Sequence, residues 1–229
     1  MDSDLPIATN IDNSPDRLRQ DLFDRLHWNV FGPLGDISVR DDNNTLVPFA
    51  NHALVSESIA EPPLSRIVVQ IDVCQQKHSM DETDEEEYRY QPPEPLVIEN
   101  MDGSPILLGD FVAQVHSFLN DNEQEIYKCE DEMYTQPGEL EDGTKFVGVG
   151  PEDTDDTNDS NDFDGAEDGS AELNYFLRSG NIPAGARFFF DTVMFNEVDV
   201  DEFEAYVSVF VEGNMGTSLE QFWGYRARA

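Results

Sequence analysis

An excess of 36 negative charges, from 49 Asp and Glu against 13 Lys and Arg, is the constraint this chain must satisfy before any other. Like charge at that density opposes compaction, so folding requires apolar residues gathered densely enough to offset both repulsion and conformational entropy. The charge is uneven. Asp81 to Pro95 holds Asp81, Glu82, Asp84, Glu85, Glu86, Glu87 and Glu94 against Arg89 alone, and Pro151 to Glu172 holds ten acids and no base. These runs carry −6 and −10, leaving −20 on the remainder. The folded surface is therefore expected to be anionic, which argues against direct nucleic-acid binding, since phosphates need a basic patch.

Between the runs there is material for a core. Hydrophobic residues make up 38% of the chain and fifteen are Phe, more aromatic and aliphatic area than a wholly disordered chain carries. No run approaches the roughly 20 apolar residues of a membrane helix. The opening Met1-Asp2-Ser3-Asp4 is acidic where a secretory signal is basic. Cys74 and Cys129 read as buried thiols of a reducing compartment. The expected setting is intracellular, cytoplasmic or nuclear, without a membrane.

Pattern along the chain predicts an α+β fold. Ser14-Pro15 followed by Leu18, Leu22, Phe23 and Leu26 predicts a helix over 15–27. Residues 28–64 read as ordered loop broken by Gly and Pro. Ile67, Val69, Ile71 and Val73 alternate in a strand over 66–74. Residues 95–99 and 106–108 read as a hairpin turning at Met101-Asp102-Gly103-Ser104. Phe111, Val112, Val115, Phe118 and Leu119 recur at helical spacing, and helical character continues to Tyr134, predicting two helices or one bent near Asn120. A short strand over 144–149, a short helix over 173–178, and two antiparallel strands over 187–195 and 203–212 follow. Thr217-Ser218-Leu219-Glu220 has capping-box spacing and opens a last helix carrying Leu219, Phe222 and Trp223. The fold expected is a single α+β domain over 1–229, its mixed or antiparallel sheet packed by helices, with disordered acidic inserts near 79–94 and 151–171.

No motif carries chemistry. His27, His52, His78 and His116 are scattered, and Cys74 with His78 supplies only half of a zinc site. Gly148-Val149-Gly150 begins like a dinucleotide fingerprint but meets Pro151 and then Asp153 where the third glycine belongs. Ser160 to Ala171 places Asp162, Asp164 and Gly165 as in a calcium loop, yet Ser160 and Ala171 occupy the two positions that most need carboxylates. No catalytic residue, metal or cofactor is expected. The aromatic series Phe188, Phe189, Phe190, Phe195 and Phe203 reads as core, with Phe189 on a second, helix-covered face. The basic ending Tyr225-Arg226-Ala227-Arg228 reads as a frayed terminus or as a clamp on the protein's own acids.

The stretch from Val97 to Phe111, with Val115-His116-Ser117-Phe118-Leu119, resembles a strand, turn and helix in a family of uncharacterised filamentous-fungal intracellular proteins, as do Arg187 to Asp191 and Leu219 to Trp223. That resemblance implies a eukaryotic cytosolic or nuclear setting. It brings no activity and no site residues.

The function expected is non-enzymatic binding of a basic protein partner. The residues expected to bind it are Asp84, Glu85, Glu86, Glu87, Asp153, Asp155, Asp156, Asp159, Asp162 and Asp164. An enzyme or small-molecule binder with a pocket in the Phe-rich sheet, and a nucleic-acid mimic, are the competing readings. Ser79 and Thr83 precede acids in a pattern suited to an acidophilic kinase. Adaptation to high salt would also produce this composition, and thermal melts separate it from a binding role. The binding reading predicts a cooperative transition that persists at about 10 mM salt, whereas a salt-adapted chain would unfold as its self-repulsion loses screening.

Overall fold

The structure, a computed structural model, describes residues 17–81, 88–136, 138–139, 145–146, 178–179, 182–199 and 202–227. The chain enters through a single helical turn, α1 (Gln20–Phe23), whose Gln20 amide donates to the carbonyl of Val193. Helix then gives way to β1 (Leu26–His27), not continuing to His27 as the spacing predicts; Pro15 and Asp16 lie outside the described residues. The reason is a second periodicity. Leu26, Trp28 and Val30 are buried while His27 and Asn29 are not, an alternation of period two that the helical reading passed over.

The stretch expected as loop holds more order than predicted. β1 pairs with β2 (Ser38–Arg40), and β2 with β3 (Leu46–Pro48), in an antiparallel meander. Three short 3-10 turns, Leu34–Asp36, Phe49–Asn51 and Ala53–Ser56, bury Phe49 and Leu54. Beyond β1 the chain runs along the larger sheet: Val30 N–H donates to Phe188 O at 2.8 Å and Phe190 N–H to Trp28 O at 2.9 Å. The Phe188–Phe190 end of that edge is thereby covered.

β4 (Arg66–Ile71) alternates as predicted, with Ile67, Val69 and Ile71 buried. It ends three residues early. Asp72 starts α2 (Asp72–Met80) directly, because Asp72, Val73 and Cys74 turn inward as a helical face. Strand β5 (Leu96–Glu99) pairs antiparallel with β4. The expected hairpin partner over 106–108 does not form: Ile106 N–H donates to Leu64 O, Ile59 N–H to Ile106 O, and Leu108 opens a helix.

Helices α3 (Leu108–Asp121) and α4 (Glu123–Met133) are the expected pair, broken at Asn122, where the Asn122 amide caps Phe118 O at 2.8 Å. Leu108, Phe111, Val112, Val115 and Leu119 form the buried stripe of α3. Two short antiparallel pairs follow. β6 (Thr135–Gln136) pairs with β9 (Arg178–Ser179), and β7 (Gly138–Glu139) with β8 (Lys145–Phe146). Arg178 thus belongs to a strand, not to the expected helix; residues 173–177 and the rest of 144–149 lie outside the described residues.

The expected C-terminal hairpin is present and longer than predicted. β10 (Phe188–Asp199) and β11 (Glu202–Val211) run antiparallel, with irregularities at Phe190/Thr192 and Glu197/Asp199. β11 lies parallel to β4, giving a mixed sheet of order β10-β11-β4-β5. Phe190 stacks on Trp28 at 5.2 Å and lies 6.2 Å from Phe23, which meets Phe111 of α3 edge-on at 5.3 Å. Phe189 points to the other face, where α5 (Leu219–Arg226) covers it with Phe222 and Trp223. The capping box of α5 is built on Ser218 and Gln221, one residue later than the sequence spacing suggests.

The end of the chain is a clamp. Arg226 is 7% exposed at its side chain, donates to Phe23 O at 2.7 Å and Phe190 O at 3.3 Å, and lies 3.7 Å from Asp191. Arg228 lies outside the described residues. The architecture is α+β, with a mixed sheet between α5 on one face and the α3 side on the other.

Gly109 tests how tightly α3 is seated. A Cβ there would lie 2.5 Å from Val55 Cγ1 and 3.0 Å from Val55 O. Gly109→Ala is expected to lose about 1–3 kcal/mol despite the better helix propensity of alanine. Chemical denaturation measures this, and a gain in stability would contradict the packing described.

Candidate functional site

All of the residues expected to bind a partner, Asp84, Glu85, Glu86, Glu87, Asp153, Asp155, Asp156, Asp159, Asp162 and Asp164, lie outside the described residues. What is described is where their segments leave and rejoin the fold. Residues 79–81 and 88–94, expected within the first insert, are among the described residues, where Asp81, Arg89 and Tyr90 are hydrogen-bonded together. Asp81 N–H donates to Lys77 O, closing α2. Arg89 donates to Asp81 O at 3.0 Å, and Tyr90 N–H donates to Asp81 Oδ2 at 2.6 Å. His78 Nδ1 donates to Tyr90 O at 2.7 Å. The second run is bracketed by the β6–β9 pair and by Ile182 N–H, which donates to Asp131 Oδ1 of α4 at 2.6 Å.

Both brackets are rooted on α4. The Tyr90 hydroxyl lies 3.3 Å from Cys129 Sγ, while β6 begins two residues after the helix ends. At about 1.5 Å per residue, Cys129 and Met133 are about 6 Å apart along the axis. The outer surface of α4 is itself acidic. Glu123 and Glu132 are exposed beside Lys128, Asp121 is exposed at the end of α3, and a shallow notch of about 400 Å³ at the α3–α4 junction is lined by Asp121, Glu123 and Glu125 among amides.

The cations relieve this field only in part: each described Lys and Arg side chain is already engaged, Lys77 and Lys128 with acids of α4 itself. Arg19 pairs with Asp21 and Glu57, Arg25 with Asp42, Arg66 with Glu99, Lys77 with Glu132, Lys128 with Glu125, and Arg187 with Glu212. Arg17 and Arg89 donate to backbone carbonyls, Arg40 donates to Asn44 and His27, and Arg226 is buried.

Beneath α4 lies a cluster that sequence reasoning missed. Cys74 of α2 and Cys129 of α4 are both fully buried free thiols and interact with each other and with the Tyr90 hydroxyl. Lys77 Nζ lies 4.7 Å and Lys128 Nζ 5.9 Å from the centre of the Tyr90 ring. The hydrogen bond from Cys74, assisted by Tyr90 and by the charge of Lys77, holds the Cys129 thiol down at about 7. Its own bond to Cys129, with burial, pushes Cys74 far up. No sequence signal announces this cluster, since its members stand on three separate segments.

Two buried acids lie nearby. Asp72 accepts from the Gln76 amide at 2.8 Å, and burial raises its pKa. Burial first, then Asp72 and Cys129, raise Glu130 to about 8. The histidines are structural. Burial, with Arg40 and Arg226 close by, lowers His27 to about 4; it stacks on Trp223 at 3.8 Å and accepts from Arg40. His52 accepts from Leu54 N–H, and His116 Nε2 donates to Gly32 O at 2.8 Å. Among the described residues no group of three potential ligands could hold a metal ion. Nor does a helix among them have the length and apolarity to cross a membrane.

The Phe-rich strands are packed core. Phe188, Phe189, Phe190 and Phe203 are buried, and Phe195 stacks on Phe203 at 5.3 Å. A groove of about 240 Å³ opens beside Phe188, Phe31 and Tyr127, but none of the carboxylates with raised pKa values lines it. Comparison with known proteins adds nothing to this picture: no family model, curated protein or solved structure matches the chain.

Glu130 sets a pH dependence. Its folded pKa of about 8 stands above the ordinary glutamate value of 4.5, so between these pH values the folded chain holds a proton that the unfolded chain has released. Its contribution to stability is full below about 4.5, falls as pH rises to about 8, and is constant above. Glu130→Gln is expected to flatten that slope and to gain on the order of 2 kcal/mol at pH 8.5 with little change at pH 4. Urea unfolding of both proteins at the two pH values measures it, and parallel pH profiles would contradict the burial argument.

Proposed function

We propose that this protein is a non-enzymatic acidic interaction protein that binds a basic protein partner through the α4 face and the two acidic runs whose described flanks contact it. The observation that carries the reading is the pairing of two features. The described flanks of both runs contact one helix, and every described basic side chain is already engaged, so among the described side chains no unpaired cation is left to neutralise the face further. An arginine- or lysine-rich chain supplies what the face lacks, and long-range attraction speeds the encounter.

The fungal resemblance supports a eukaryotic cytoplasmic or nuclear setting for this activity. Mimicry of nucleic acid would require carboxylates at phosphate-like spacing, whereas the described acids of α4 are spaced by helical geometry. The buried Phe-rich strands lend no support to a ligand pocket.

Fluorescence anisotropy tests the proposal directly, with the full chain titrated into a labelled arginine- and lysine-rich peptide and, separately, into duplex DNA. Peptide binding is expected to weaken by about tenfold or more between 50 and 300 mM salt. DNA is expected not to bind. Replacing the carboxylates of 84–87 and 153–164 by amides should weaken peptide binding without altering the melt. Salt-independent binding, or no binding at low salt, would overturn the reading.

A further inference from the structure

The chain has two cysteines and three lysines. Cys129, Lys77 and Lys128 meet around Tyr90, and Cys74 of α2 joins them through hydrogen bonding with Cys129 and the Tyr90 hydroxyl. Two thiols that find each other from positions 74 and 129 in a reduced core need a reason beyond apolar packing, which any small aliphatic pair would satisfy. We infer that Cys74 and Cys129 form a redox-active dithiol, a covalent modification site at which hydrogen peroxide oxidises Cys129 and Cys74 resolves the product into an intramolecular disulfide.

The arrangement suits the two roles. Cys129 Sγ lies 3.3 Å from the Tyr90 hydroxyl, which can donate to a thiolate, and the Lys77 ammonium stands over the same ring. In a protein of net charge −36 this is a local concentration of positive charge around one sulfur. It is moderated by Glu132 on Lys77 at 2.7 Å and by Glu125, whose Oε1 lies 3.9 Å from Cys129 Sγ. The direction of the two thiol ionisations agrees: Cys129 is the more acidic, and Cys74 keeps its proton. Neither cysteine has solvent-accessible surface, while Tyr90 beside Cys129 is half-buried and Lys128 exposed, so an oxidant reaches the sulfurs only as this cover opens, which favours a small one over a bulky one.

The chemistry balances with peroxide as the two-electron oxidant. The Cys129 thiolate attacks one peroxide oxygen; the O–O bond breaks, sulfenic acid forms, and the departing hydroxide takes a proton to become water. Cys74 sulfur then attacks Cys129 sulfur; the S–O bond breaks, the S–S bond forms, and the hydroxyl leaves with the Cys74 proton as a second water. Two thiols are oxidised and one peroxide is reduced. Two equivalents of a low-molecular-weight thiol reverse the reaction. The bridge would tie α2 to α4 at the base of the first acidic run, a property independent of the proposed basic partner.

Intact-mass measurement of the reduced full chain exposed to stoichiometric hydrogen peroxide tests this. The expected product has lost about 2 Da, melts about 5–10 °C higher, and returns to the starting mass with dithiothreitol. Cys74→Ser is expected to stop one step earlier, gaining about 16 Da as a sulfenic acid that dimedone traps on Cys129. Tyr90→Phe, which keeps the ring, is expected to slow the loss of 2 Da by about tenfold. Three results would overturn the inference: thiols untouched by peroxide in the unaltered protein, oxygen adducts without a disulfide, or a rate indifferent to Tyr90→Phe. The first two need no variant and stand even if the serine substitution fails to fold.

Discussion

Self-repulsion among carboxylates is the constraint on which the rest of this structure depends, and the few cations are placed to manage it. Arg226 is spent inside, joining α5 to α1 and β10 through Phe23 O, Phe190 O and Asp191. Burying a guanidinium is costly unless it is paired and hydrogen-bonded, and here carbonyls, a carboxylate and three aromatic rings share the task. The remaining described cations sit on one or two carboxylates, on side-chain acceptors or on backbone carbonyls. Exposed pairs of this kind contribute little stability each, but together they withdraw positive charge from the surface.

Stability must therefore come from apolar burial, and the aromatic core supplies it. Phe190 links the Trp28 segment, α1 and the sheet in one stack, while Phe189 faces α5 across the same strand. One strand thus serves two layers. The meander joins this core through backbone bonds from 28–30 to β10, which also cover the Phe188–Phe190 end of that strand's edge.

The sheet and long helices were legible in the sequence because their periodicities are unambiguous. Ile67, Val69 and Ile71, the α3 stripe of Phe111, Val112, Val115 and Leu119, and the hairpin of β10 and β11 all read correctly. Failures occurred where two patterns overlap or where order depends on distant partners. Leu22, Phe23 and Leu26 fit a helix, but Leu26 also belongs to an alternating series with Trp28 and Val30, and pairing with Val39 decides it. Val73 continues the alternation of β4 by one more step, concealing the start of α2. Ile106 and Leu107 looked like a hairpin strand and instead join the 58–64 segment. Cys74, Tyr90 and Cys129 could not be grouped from spacing at all, since only the packing of α2 on α4 brings them together. Of the candidate interaction site, charge was legible and its anchoring on α4 was not.

The structure joins these parts around α4, which covers the thiol cluster on its inner side, presents acids on its outer side, and contacts the described flanks of both acidic runs. Zero-length cross-linking of the full chain to a lysine-rich peptide, read by mass spectrometry, tests that arrangement most directly. Amide bonds from peptide lysines to carboxylates within 81–94, 121–132 and 151–172 are the result the account predicts. Cross-links spread evenly over the acids of the whole surface, Asp36, Asp42, Asp102 and Glu220 included, would contradict it.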